Sequence, residues 1–212
     1  MKAPVRAHAL SQHASPPHAV RLLTAGLLFL YGSQALMQTV EALSSISGTA
    51  EAEKEMLLEM DRTDSLRSVV QLAVQGGREG ASSSGHGALL VPAIAILAEA
   101  ARAASEHDKM DVIISSGAPQ SMLDMLDGPA LPTGALVHLL QVLECLRGDS
   151  GGSAALERCK PITEVMHRLD ELIKQARDAS VRSALLSCAR SLLHERVPVS
   201  YTHLRAHETR HD

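Results

Sequence analysis

Gly117-Ala118-Pro119-Gln120-Ser121-Met122-Leu123-Asp124-Met125-Leu126 is the stretch on which the fold turns. A glycine followed two positions later by proline is a turn that opens a helix, since proline fits the first helical turn, where no intrahelical N–H is needed. Met122, Leu123, Met125 and Leu126 then fall on one apolar stripe of that helix. Lys160-Pro161-Ile162-Thr163-Glu164-Val165-Met166-His167-Arg168-Leu169 repeats the pattern 43 residues later. Asp64-Ser65-Leu66-Arg67-Ser68-Val69-Val70 is a weaker copy, with Asp61 where glycine is expected, and Pro17-His18-Ala19-Val20-Arg21-Leu22-Leu23 is an earlier one. Val112, Ile113 and Ile114 place an inward-packing turn just before the Gly117 copy. A longer apolar helix is expected after each copy, over 34–46, 88–104, 135–147 and 180–193. The last two align at an offset of 46, setting Leu139 against Leu185, Leu140 against Leu186, Val142 against Cys188 and Leu146 against Leu192. Steps of 27, 29 and 26 residues link Leu43 to Val70, Leu97 to Leu126 and Leu143 to Leu169. No segment alternates convincingly at the strand period of two, so an all-α chain is expected.

Composition agrees with helix-on-helix packing. Of 212 residues 45% are hydrophobic and 21% charged, which excludes wholesale disorder. Phe29, Tyr31 and Tyr201 are the aromatic side chains, and Trp and Asn are absent. A core without rings must be filled by Leu, Val, Ile, Met and Ala. Base-stacking and aromatic-cage recognition need ring faces and are excluded on that ground. A net charge of −4 argues against general nucleic-acid binding. Cys145, Cys159 and Cys188 are odd in number and widely spaced, and read as buried small hydrophobes in a reducing compartment.

The repeated segments resemble armadillo repeats, whose second helix opens with G-A-I-P-x-L-V-x-L-L and whose longer third helix lines a concave groove. The resemblance covers roughly 16–196. It implies a right-handed α-solenoid of about four armadillo-like repeats; a different α-solenoid or a non-repeat bundle is the alternative. The same resemblance implies protein binding and no catalysis; no cofactor, metal or nucleic acid is expected, and the apolar run 22–31 is too short to span a membrane. Importin-alpha-type carriers read basic peptides with Trp and Asn ladders, which this chain lacks. A broad domain surface or an amphipathic helix is therefore the expected ligand. The offsets place Gln38, Pro92, His138 and Ala184 in one groove row, Glu41, Ala95, Gln141 and Ser187 in a second, and Ser44, Ala98, Glu144 and Arg190 in a third. The function expected is an interaction scaffold. An armadillo-type nucleotide-exchange co-chaperone of a heat-shock ATPase is the alternative, on size and architecture.

Both ends need separate treatment. Val199 to Thr209, reading VSYTHLRAHET, resembles the translation of a transposase-type sequencing adapter, so 199–212 is expected to be non-native and the native C-terminus to lie elsewhere. This disposes of His207-Glu208-Thr209-Arg210-His211, an HExxH match that would otherwise suggest zinc. At the other end 1–15 reads as a leader carrying His8 and His13, and no acid precedes Glu41. The apolar run 22–31 suits a core helix, a secretory signal with cleavage near Ser33 to Ala35, or an organellar presequence. A cytoplasmic location is expected, with the secretory pathway as the alternative.

The remaining motifs read as structure. Gly148-Asp149-Ser150-Gly151-Gly152 matches the sequence around a trypsin-like nucleophile, yet lies between helices and reads as a Gly/Ser linker. Arg147-Gly148-Asp149 is an integrin-type triplet with little information in it. The stretch 75–87 reads as a surface loop, and Glu51, Glu53, Glu55 and Glu59 as solvated charges.

Overall fold

Helices begin and end where the turn chemistry allows. A computed structural model describes residues 50–79 and 87–193, and all regular structure among them is α-helical. In chain order the helices are α1 (Ala50–Arg62), α2 (Ser65–Glu79), α3 (Gly87–Glu106), α4 (Met110–Ser115), α5 (Ala118–Asp127), α6 (Thr133–Gly148), α7 (Ser150–Cys159), α8 (Ile162–Gln175) and α9 (Ala179–Leu193). The leader, the copy beginning at Pro17, the helix expected over 34–46 and the tail 199–212 lie outside the described residues.

The turns into α2 and α5 use the same device. Gly117 has φ +83° and its amide donates to Ile114 O at 3.2 Å; Asp64 has φ +55° and its amide donates to Asp61 O at 3.1 Å. Asp64, and not Asp61, is thus the residue standing where the pattern has glycine. Aspartate tolerates the left-handed region better than most side chains, which is why the copy works without a glycine. Asp178 opens α9 with its side chain, Oδ1 accepting from the amide of Ser180 at 2.7 Å.

The segment expected to be a linker at 148–152 is the start of a helix. Asp149 caps α7, with Oδ1 accepting from the amide of Gly152 at 2.8 Å. The glycine pair sits inside the first turn because α7 starts hard against the end of α6: a Cβ on Gly152 would lie 2.3 Å from Leu146 O. Similarly, 75–79 is helical, and Gly76 and Gly77 are buried; only 80–86 of that expected loop falls outside the described residues.

Packing follows a simple order in which helices three apart touch. α2 lies against α5 and α5 against α8; α3 lies against α6 and α6 against α9; α4 lies against α7. One continuous core runs from Met56 to Leu192, built from Leu, Ile, Val, Met, Ala and Cys. Leu57, Ile94, Ile96, Leu97, Leu139, Leu143 and Leu146 are fully buried, each contributing about 1.5–3 kcal/mol. Arginines stitch neighbouring helices by satisfying carbonyls that helix ends leave unpaired. Arg168 of α8 donates to Leu126 O of α5 at 2.9 Å, and Arg67 of α2 to Ser115 O of α4 at 3.4 Å.

Candidate functional site

The residues expected to line a groove fall into three groups. Gln38 and Glu41 lie outside the described residues. Pro92 and Ala95, with Ala98, are buried, which corrects the expectation that they form an open groove floor. The reason is crowding: α3 touches α1, α2, α4 and α6, and its sequence is apolar nearly all round. His138 and Glu144 are half-buried and Gln141 is exposed on α6, while Ser187 and Arg190 are exposed on α9. All five lie on α6 and α9, two helices that pack together.

Helical spacing groups them as a candidate strip. Val137, Gln141 and Gly148 sit at i, i+4 and i+11, with His138, Glu144 and Cys145 along their edges. His138 Nδ1 lies 3.0 Å from Gln141 Oε1, tying two of the candidates together. Aligned by the offset of 46, Ser183, Ser187 and Arg190 continue the strip on α9. Among them His138, Gln141, Ser183 and Ser187 are uncharged hydrogen-bonding groups, and Glu144 and Arg190 add one acid and one base.

A second polar feature was not foreseen. Glu53 of α1 was read as a solvated charge, yet it is buried, with 4% exposure. Arg102 Nη2 donates to Glu53 Oε1 at 3.1 Å, and His107 Nε2 lies 3.1 Å from Oε2. Arg102 also donates to Glu99 at 3.1 Å and to Glu106 at 2.8 Å. Burial alone would push the Glu53 carboxyl up. The hydrogen bonds from Arg102 and His107 outweigh it and hold that carboxyl below the ordinary glutamate range. The same bond to Glu53, seconded by Glu106, raises the Arg102 guanidinium further. The signal lay in α3, where Glu99, Arg102 and Glu106 are the charged residues of an otherwise apolar helix. Glu59 is likewise buried rather than solvated, accepting from Arg62 Nε and Nη2 at 2.9 Å each.

An open cleft of about 320 Å³ lies among α4, α5 and α7, lined by Ile114, Gly117, Pro119, Gln120, Ala155, Arg158 and Cys159. The three thiols are free. Burial pushes Cys188 up to about 12 and also raises Cys145, so neither is an activated nucleophile. In the segment that matches the trypsin-like sequence, the Gly152 amide is engaged by Asp149 as a helix cap. Arg147 is likewise engaged, bonding Ser153 and, at 2.9 Å, Glu157. Among the described residues no group of three or more His, Cys, Asp or Glu is placed to hold a metal ion, and no helix is long and apolar enough to cross a membrane. Comparison with protein-family models, with curated proteins and with solved structures finds no match.

Proposed function

We propose that this chain is an armadillo-like α-solenoid that acts as a non-enzymatic scaffold, binding a protein partner along the strip on α6 and α9. In this reading α1–α3, α4–α6 and α7–α9 are three successive units stacked in a right-handed sense, and residues 17–46 supply a fourth. The contact order of the helices supports it, since each second and third helix touches its counterpart in the next unit. The observation that carries the binding site is the strip itself. His138, Gln141, Glu144, Ser187 and Arg190 come from two helices 46 residues apart in register and open on one side. Strips of this kind, mixing hydrogen-bonding groups with half-buried apolar ones such as Val137 and Ala184, suit a folded or helical ligand.

The test is site-specific photocrosslinking of the full chain in cells, with the crosslinking residue placed at Gln141 or Ser187 and, as controls, at Glu157 or Thr163 on other helices. A discrete adduct from each strip position, abolished by Ser187→Arg when the crosslinker is at Gln141 and by Gln141→Arg when it is at Ser187, is the expected result. Equal labelling at strip and control positions would remove the strip as the binding site.

A further inference from the structure

The first described helix departs from the packing order of the others, and its seat bears on the strip. α4 lies against α7, but α1 has no comparable packing on α4 and rests on α2 and α3 instead. Neither α4 on α6 nor α7 on α9 makes such a contact. The face of α3 that α1 meets is the one that corresponds to the strip. At the offset of 46, Val91, Ala95, Glu99 and Arg102 of α3 stand in register with Val137, Gln141, Cys145 and Gly148 of α6. Around the axis of α3, Arg102 lies within about 20° of Ala95. Arg102 is the residue that α1 holds through Glu53. Gln141 is exposed, whereas its counterpart Ala95 is buried.

The contact is built like a bound peptide. Glu53, Met56, Leu57 and Met60 are buried at i, i+3, i+4 and i+7, while Lys54, Glu55, Leu58 and Asp61 are exposed. On that face α1 thus presents one carboxylate and a row of three apolar side chains to the rest of the fold. Glu53 Oε1 accepts from Arg102 and Oε2 lies beside His107, at 3.1 Å each. The guanidinium is also held by Glu99 and Glu106 of its own helix, so its place does not depend on α1. A carboxylate arriving on another helix would meet the same two groups and leave neither unpaired. That offsets the cost that breaking a buried ion pair otherwise carries. The cluster adjoins the strip: the Cys145 thiol is raised first by burial and, after Glu144, feels the charges of Arg102, Glu106 and Glu99.

We infer that α1 is a resident occupant of the strip's α3 end, an autoinhibitory helix that a partner displaces. Given the strip as the binding site, on which this assignment rests, the partner is an amphipathic helix with Asp or Glu followed at i+3, i+4 and i+7 by apolar side chains. Its carboxylate takes the place of Glu53 on Arg102 and His107, and its apolar row takes the place of Met56, Leu57 and Met60. Because the seat is filled in the resting chain, apparent affinity is reduced to the fraction of chains in which α1 is lifted.

The probe is a labelled peptide of sequence 50–62, AEAEKEMLLEMDR, compared with the same peptide carrying Glu53→Gln. The receptor is the full chain, as wild type and as Glu53→Gln, in which the resident helix has lost its charge contact. Fluorescence anisotropy should show the native peptide binding the Glu53→Gln chain about tenfold more tightly than wild type, because a tenfold larger open fraction raises apparent affinity tenfold. On that chain the Glu53→Gln peptide should bind about tenfold more weakly. A photocrosslinker at Ser105 of α3 should capture the native peptide, and one at Thr163 of α8 should not. Amide hydrogen exchange should show α1 opening about tenfold faster in the Glu53→Gln chain, with α6 and α9 unchanged. Gly117→Val, whose strain falls on the turn between α4 and α5, should leave peptide affinity at the wild-type level. Should Glu53→Gln not fold, Met56→Ala loosens the apolar half of the same contact and serves in its place. No difference between the two chains, equal binding of the two peptides, or an equal gain with Gly117→Val would overturn the proposal. Adducts at Gln141 and Ser187 do not depend on those outcomes, so α1 can prove a fixed part of the core while the strip stands. If the strip positions crosslink no more than the controls, the autoinhibitory role falls with the strip even where the peptide exchanges.

Discussion

Replacing Gly152 with alanine puts one methyl group where the backbone leaves no space. The added Cβ would stand 2.3 Å from Leu146 O, 2.9 Å from Leu146 Cα and 3.0 Å from Leu146 C. An ordinary carbon–oxygen contact is about 1 Å longer than the first of these, and the obstacle is main chain of a core helix rather than a side chain that can swing away. The start of α7 must therefore move off the end of α6, stretching the bond from the Gly152 amide to Asp149 Oδ1, now 2.8 Å. Overpacking of this sort costs about 1–3 kcal/mol and a weakened N-cap about 1 kcal/mol more, against about 1 kcal/mol regained because alanine is the better helix former. The net expectation is a loss of about 1–3 kcal/mol, read from urea unfolding followed at 222 nm. Gly148→Ala is the control: its Cβ meets nothing within 4 Å. It should leave stability unchanged or raise it by up to about 1 kcal/mol. If Gly152→Ala is as stable as Gly148→Ala, the close approach of α7 to α6 is wrong.

Other perturbations test other parts of the structure. Gly117→Val should cost about 1–2 kcal/mol in the same assay through its left-handed φ of +83°, because no neighbour crowds its Cβ; Gly117→Asp should cost less, since Asp64 already holds that conformation. Glu53→Gln should destabilise at neutral pH by about 1–3 kcal/mol, a range discounted for the partial exposure of Arg102. It should also flatten the acid limb of stability. The folded Glu53 carboxyl lies below its unfolded value, so its contribution is complete above the ordinary glutamate range and is lost as pH falls through the folded value. Wild type should therefore lose more stability than the variant on acidification below about pH 4. Finally, a thiol reagent should label half-buried Cys159 first and buried Cys188 only on the unfolding timescale; rapid labelling of Cys188 in the native chain would contradict its burial and its raised pKa.

The apolar periodicity of α3, α6 and α9 was legible from sequence almost to the residue. The stripes at 88–104, 135–147 and 180–193 correspond to α3, α6 and α9. Local pattern fails where the answer depends on how many neighbours surround a helix. Pro92 and Ala95 have the right register for an outer row, but register does not reveal that α3 is enclosed by four helices. It fails again where glycine serves tight packing rather than flexibility: Gly151 and Gly152 look like a linker, and only the proximity of Leu146 shows why a helix can start there. Glu53 and Glu59 look solvated because charged residues almost always are; their burial depends on guanidinium partners, Arg102 for Glu53 from 49 positions away and Arg62 for Glu59 on the same helix. Within the candidate strip, Gln141, Ser187 and Arg190 are exposed.

A core without rings leaves the described helices optically dark. None of Phe29, Tyr31 and Tyr201 lies within 50–193, and Trp is absent, so the helical core carries no intrinsic fluorophore and no aromatic near-ultraviolet signature. A tryptophan introduced at Gln141 would be the sole emitter of the indole type in the molecule. Its wavelength would then report directly whether the strip stands in water or lies beneath a partner.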